Sequence, residues 1–150
     1  MTSTVLPDGY YAITDPFESN RVTCWRQSER GLAVWPAKAR VGPISKVAGV
    51  DQPKGSDERR RGVLALHERQ RDYLAAVRNR IAEDLTDAGA RFSTLHTRCC
   101  GCGKTLTDPK ARFYGIGPEC GAKLPDDVLA GLARRVGEMF AELEGTAGLR

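Results

Sequence analysis

The sequence has no run of about 18 consecutive apolar residues, so no stretch of it reads as a membrane-spanning helix. Its opening, MTSTVLPDGYYA, has neither a basic nor an apolar segment and does not read as a signal peptide. The expectation is a cytoplasmic protein with no membrane contact. Histidine is scarce: the chain holds 2, His67 and His96. His67 is followed by Glu68 and His96 by Thr97. The chain therefore lacks HExxH, which sets two imidazoles on one helix face around zinc with a glutamate base. It also lacks the H-x-E of zinc deaminases, which places a proton-shuttling glutamate beside the metal. A phosphate-binding loop is missing too. Gly103-Lys104-Thr105 invites that reading, but the glycine that must open the loop falls at position 98, which is Arg98. Gly115-Ile116-Gly117-Pro118 lacks the third glycine of a dinucleotide fingerprint. No internal repeat is evident. Neither sign of charge dominates. A net charge of +4 and a pI near 8.9 are a mild basic bias, compatible with nucleic acid without requiring it.

What the chain does have is a cluster of cysteines. Four of its 5 lie in TRCCGCGKTLTDPKARFYGIGPECGAKL, at Cys99, Cys100, Cys102 and Cys120. In a reducing compartment such spacing reads better as metal ligation than as disulfides. Cys99 and Cys102 form C-x2-C followed by Gly103, a spacing that lets two thiolates reach one tetrahedral ion. Small neighbours let backbone N–H groups approach the sulfurs. Cys120 follows GIGP, which should turn the chain back sharply at a helix start. Zinc is the expected ion, and the obvious ligands number three. A treble-clef-like site would take its fourth ligand from position 123, but that residue is Lys123. His96 is the nearest candidate, making H-x2-C-x2-C; Cys100, Asp108, Cys24 and His67 are the others. The competing readings are buried or merely free thiols and a thioredoxin-like redox pair. The second lacks its strand–CxxC–helix context.

Around this stretch the periodicity predicts an α+β protein. GYYAIT, RVTCWRQ and LAVW read as three strands of an antiparallel meander, with SERG as a hairpin loop. In the second strand Val22 and Cys24 face one way, Thr23 and Trp25 the other. Residues 1–45 thus read as a β-rich module, 46–56 as a linker rich in Gly, Pro and Lys, and 57–150 as a helical and zinc-knuckle module. A single compact domain overall is the other arrangement. Ser56 is the expected N-cap of a long amphipathic helix reaching about Thr86, with Gly89 as its stop. Its apolar arc is Val63, Leu66, Leu74, Val77, Ile81 and Leu85. A C-terminal helix is expected from Asp126 to about Glu144, with Leu129, Leu132, Val136, Phe140 and Leu143 facing the core.

CCGCGKTLTDPKARFYGIGPEC resembles the hallmark of a family of small zinc-ribbon-like domains of uncharacterised function from actinobacteria and their phages, approximately CxxCGRxLTDPxSxxxGxGPxC. The match runs through Cys99, Cys102, Gly103, Leu106, Thr107, Asp108, Pro109, Gly115, Gly117, Pro118 and Cys120. Lys104 replaces the usual arginine, and Ala111 stands near the usual serine. The resemblance implies three cysteine ligands and, because such domains accompany DNA-handling modules, a nucleic-acid setting.

Seven arginines fall between Arg59 and Arg80. Arg60, Arg71 and Arg78, with His67, project within about 40° of one another at helical pitch, a stripe that could track phosphates or simply flank the helix in solvent. Lys38 and Arg40, just beyond Trp35, form a smaller basic patch. Trp25 and Trp35 read either as core or as stacking platforms. The functional expectation is a non-enzymatic, zinc-binding protein associated with nucleic acid, the metal being structural. The alternative is a phage-type protein-interaction module that modulates a host protein. An enzyme using the TDPK and GIGPE loops is a weaker third.

Overall fold

The structure is a computed structural model that describes residues 5–43 and 55–148, with side chains described to residue 143. Residues 46–54 of the expected linker lie outside the described residues. Three antiparallel strands, β1 (Gly9–Thr14), β2 (Val22–Ser28) and β3 (Gly31–Trp35), pair in the order β1-β2-β3. The register sets Tyr11 opposite Trp25 and Ile13 opposite Thr23, and on the other face Ala12 opposite Cys24 and Cys24 opposite Trp35. Because side chains alternate across a strand, these pairs give the sheet two separate apolar faces.

A three-stranded sheet needs cover, and here both faces have it. Helix α1 (Asp57–Glu83) starts at Ser56, whose side chain accepts a hydrogen bond from Arg59 N. It buries Tyr73, Val77 and Ile81 in one cluster with Tyr11, Ile13 and Trp25. Leu74 packs at the edge of that cluster, while Leu85 is exposed. The Tyr73 hydroxyl donates to Asp15 Oδ2 within this core. Asp15 Oδ1 accepts from Phe17 N and Glu18 N, both at 2.9 Å, so a buried carboxylate is fully provided with donors.

Gly89 does not end the helical stretch. The chain breaks earlier, at Asp84, whose side chain accepts from Asp87 N and caps a second helix, α2 (Leu85–His96). Gly89 sits inside α2, buried between Ala88 and Ala90. Small residues there let α2 lie between two cores. Phe92, fully buried, packs on the second sheet face with Tyr10, Ala12, Cys24 and Trp35. From its other side Ala90 joins a further cluster.

That cluster is built by α3 (Pro109–Tyr114), α4 (Pro118–Gly121) and α5 (Asp126–Gly148). Leu132, Val136 and Met139 of α5 meet Cys99, Leu106, Ala111 and Ile116. Phe140 and Leu143, expected in the stripe, are instead exposed past the end of this core. Arg135 of α5 clamps Asp87 of α2, with Nε at 2.8 Å and Nη2 at 2.7 Å from Oδ1, and also reaches Glu138 at 2.9 Å. No helix among the described residues is long and apolar enough to cross a membrane.

Candidate metal centre

Helix α2 ends at Thr97 in the left-handed conformation, φ 52° and ψ 45°, unusual for a β-branched residue. This sharp change of direction launches a tight hairpin. Arg98 and Thr105 bridge, Leu106 N donates to Thr97 O at 2.9 Å and Cys99 N to Lys104 O at 2.8 Å. Gly103 N returns to Cys99 O at 2.8 Å, and Gly103 takes the left-handed φ of 79° that the turn requires. The C-x2-C segment is therefore a knuckle whose two sulfurs point the same way. Asp108 then caps α3, with Pro109 in its first turn. Gly115, at φ 71°, ends α3, and its close packing on Val136 and Ser93 leaves no room for a Cβ. The turn delivers Pro118 to the start of α4 and Cys120 into its body.

These turns bring Cys99, Cys102 and Cys120 together, their sulfurs all within 4.8 Å of one another. That set can hold a metal ion. Cys99 is buried, Cys120 half-buried and Cys102 exposed. Cys99 Sγ accepts backbone N–H bonds from Gly101 at 3.3 Å and Gly117 at 3.2 Å. Burial alone would raise the Cys99 thiol, but N–H donation from Gly117, Cys102 and Gly101 outweighs it and holds the thiol below its ordinary value. Cys120 goes the other way, pushed up to about 12 by burial and by the neighbouring Cys99 charge. Without a cation, the three sulfurs cannot all ionise side by side; a divalent ion removes that penalty. Gly101 belongs to the same design, because a Cβ there would stand 2.9 Å from both Cβ and Sγ of Cys120.

The other candidate ligands lie elsewhere. His96 Nε2 is 3.2 Å from Cys24 Sγ, on the sheet side of α2 beside the rings of Trp35 and Phe92. Burial and the Arg98 charge lower the His96 pKa, and burial lifts the Cys24 thiol to about 11, so the two meet as neutral groups. Cys100 points towards α2, its Sγ 3.5 Å from where a Cβ of Gly89 would be, and burial raises it to about 12. His67 is exposed on α1. Asp108 and Glu119 line a cavity next to the sulfurs but stand outside the close cluster.

The basic candidates are spread over the surface. Arg60 and Arg71 are exposed and Arg78 half-buried on α1, and Arg60 lies 4.0 Å from Asp57. Lys38 and Arg40 are exposed in the segment that ends at Gly42 against the Tyr73 ring. Trp25 is core; the half-buried Trp35 packs edge-on to Tyr10 and Phe92 with the Arg98 guanidinium over its ring. Two features escaped the sequence. The Cys24–His96 contact joins residues 72 apart and carries no local signal. Gly101 could have been suspected from its place inside the C-x2-C loop. No curated protein and no solved structure matches the chain. Residues 89–125, the stretch that holds all three clustered cysteines, are similar to a family described as a family of unknown function (DUF6011).

Proposed function

We propose that the chain is a non-enzymatic zinc-binding protein associated with nucleic acid, and that Cys99, Cys102 and Cys120 hold its zinc. The observation that carries the zinc reading is the convergence of three sulfurs, of which Cys99 Sγ accepts two backbone N–H bonds. Clustered thiolate sulfurs suit zinc, and N–H donation to Cys99 Sγ spreads its charge. The ion fastens the knuckle to α4 across the contact where Gly101 packs against Cys120 and Gly117 N donates to Cys99 Sγ. Fresh protein prepared without chelator should carry about one equivalent of zinc by elemental analysis, and Cys120→Ser should lose most of it. Metal-free wild type of normal fold would reject the reading.

The nucleic-acid part is supported by the exposed arginines of α1, Arg60 and Arg71, with Arg78 at their side and Lys38 and Arg40 on the neighbouring segment. Changing Arg60, Arg71 and Arg78 together to Gln keeps helix propensity. It should lower the slope of log K against log salt by about one unit for each phosphate no longer neutralised. An unchanged slope rejects α1 as the binding surface. A protein partner is the second reading, favoured by Phe140 and Leu143, which stay exposed on α5. Absence of any salt-dependent nucleic-acid binding would give it first place.

A further inference from the structure

We propose that a metal held by Cys99, Cys102 and Cys120 takes its fourth ligand from outside the chain, at a position that accepts a neutral nitrogen base such as an imidazole. The inference rests on the metal site proposed above. Its first support is an inventory. All 5 cysteines and both histidines of the sequence lie among the described residues, and none but these three joins the cluster. Cys24 and His96 occupy one another, Cys100 is turned into the packing under α2, and His67 stands on α1. The chain therefore has no further thiolate or imidazole to offer.

The second support is space. All three cysteines border one cavity of about 230 Å³, open to solvent beside the exposed Cys102. This is several times the roughly 30 Å³ share of a single water, enough for a planar five-membered ring. Three protein ligands beside an accessible cavity is the arrangement in which zinc keeps an exchangeable position, whereas closed structural sites supply all four.

The third support is charge, which favours a neutral ligand. Three thiolates around a divalent ion leave one net negative charge. Asp108 and Glu119 line the same cavity, with Lys104 as the cationic side chain opposing them. A fourth thiolate or a carboxylate would add like charge to an already negative site. Asp108 is further occupied, its Oδ1 accepting from Lys110 N at 3.3 Å as the cap of α3. A neutral nitrogen donor completes the tetrahedron without that penalty. Water holds the position when no such base is present.

The test uses the full chain loaded with Co(II), whose visible bands report the fourth ligand and whose near-ultraviolet charge-transfer band reports the thiolates. Adding imidazole should displace the visible bands along a saturable curve, while charge-transfer intensity and retained cobalt stay constant. X-ray absorption of the zinc form should show three sulfurs at about 2.3 Å and one light atom at about 2.0–2.1 Å. Asp108→Ser, which keeps a capping oxygen, and Glu119→Gln should still retain cobalt and still respond to imidazole along a saturable curve. Four sulfurs, no spectral response to imidazole, or cobalt lost from either carboxylate variant would each overturn the inference while leaving the metal site standing. Failure to bind cobalt or zinc at all would overturn both.

Discussion

Gly101→Ala tests the centre through a residue that ligates nothing. The added methyl would stand 2.9 Å from both Cβ and Sγ of Cys120, closer than carbon–carbon or carbon–sulfur packing allows. Cys120 sits in the four-residue helix α4 directly after a Gly-Pro turn, so it cannot swing away alone. The substitution leaves the backbone N–H of residue 101 in place, and that group donates to Cys99 Sγ at 3.3 Å. The perturbation is therefore steric and aimed at one sulfur. Changes just outside a metal's ligand shell typically cost about 10–100-fold in affinity, and a displaced ligand belongs at the upper end, about 2.7 kcal/mol. Competition of the apo chain against a chromogenic chelator reads the change directly. The control is Gly131→Ala in α5, where nothing among the described residues lies within 4 Å of the new methyl. It should leave zinc affinity unaltered and stabilise the helix slightly. A folded Gly101→Ala protein whose zinc affinity stays within about twofold of wild type, far below the expected loss, would refute the placement of Cys120 beside Gly101.

Other consequences concern the scaffold. Tyr73→Phe removes the hydroxyl that serves Asp15 Oδ2 in the α1–sheet core and should cost about 1–3 kcal/mol in urea unfolding at constant m; a change under about 0.5 kcal/mol would show that Asp15 is not buried there. His96 gives a pH effect of definite sign. Burial and Arg98 lower its pKa in the folded chain, so below the ordinary value of about 6.5 the unfolded chain takes a proton that the folded chain resists. Its share of stability is whole above that value and falls as pH drops below it. His96→Gln should flatten the stability profile between about pH 7.5 and 5.5, and an unchanged profile would place the imidazole in solvent.

The sheet was readable because its signals are local. Alternation in RVTCWRQ assigned Thr23 and Trp25 to one face, and both are buried. Ser56 and the acidic first turn of α1 announced that helix, and Asp126 the last one. The break at Asp84 was hidden, because a helix former at Leu85 resumes the pattern at once and the capping bond to Asp87 is a three-residue event inside a helical stretch. Gly89 read as a stop because glycine is poor in isolated helices. Its real use is tertiary: α2 is buried on two sides and needs small residues. Met139 was missed and Phe140 and Leu143 were overcounted for a related reason. Helical periodicity gives the direction of a side chain but not where the core ends. At the metal centre, C-x2-C and the GIGP turn sufficed to bring three cysteines to notice. The placement of His96 beside Cys24 depends on the sheet packing over α2, which no spacing within residues 96–120 encodes.

Whether one metal fastens the knuckle to α4 can be read from amide hydrogen exchange before and after chelation. Amides from Thr97 to Leu124 should lose protection when metal is removed, those of Gly101 and Gly117 among the first, since both donate to Cys99 Sγ. Strand β2, paired on both sides within the sheet and packed on the α1 core, should keep its protection, whereas Tyr10 N of β1 donates to Cys100 O at 2.7 Å and should lose protection with the knuckle. Identical exchange with and without chelator across Thr97–Leu124 would contradict the claim.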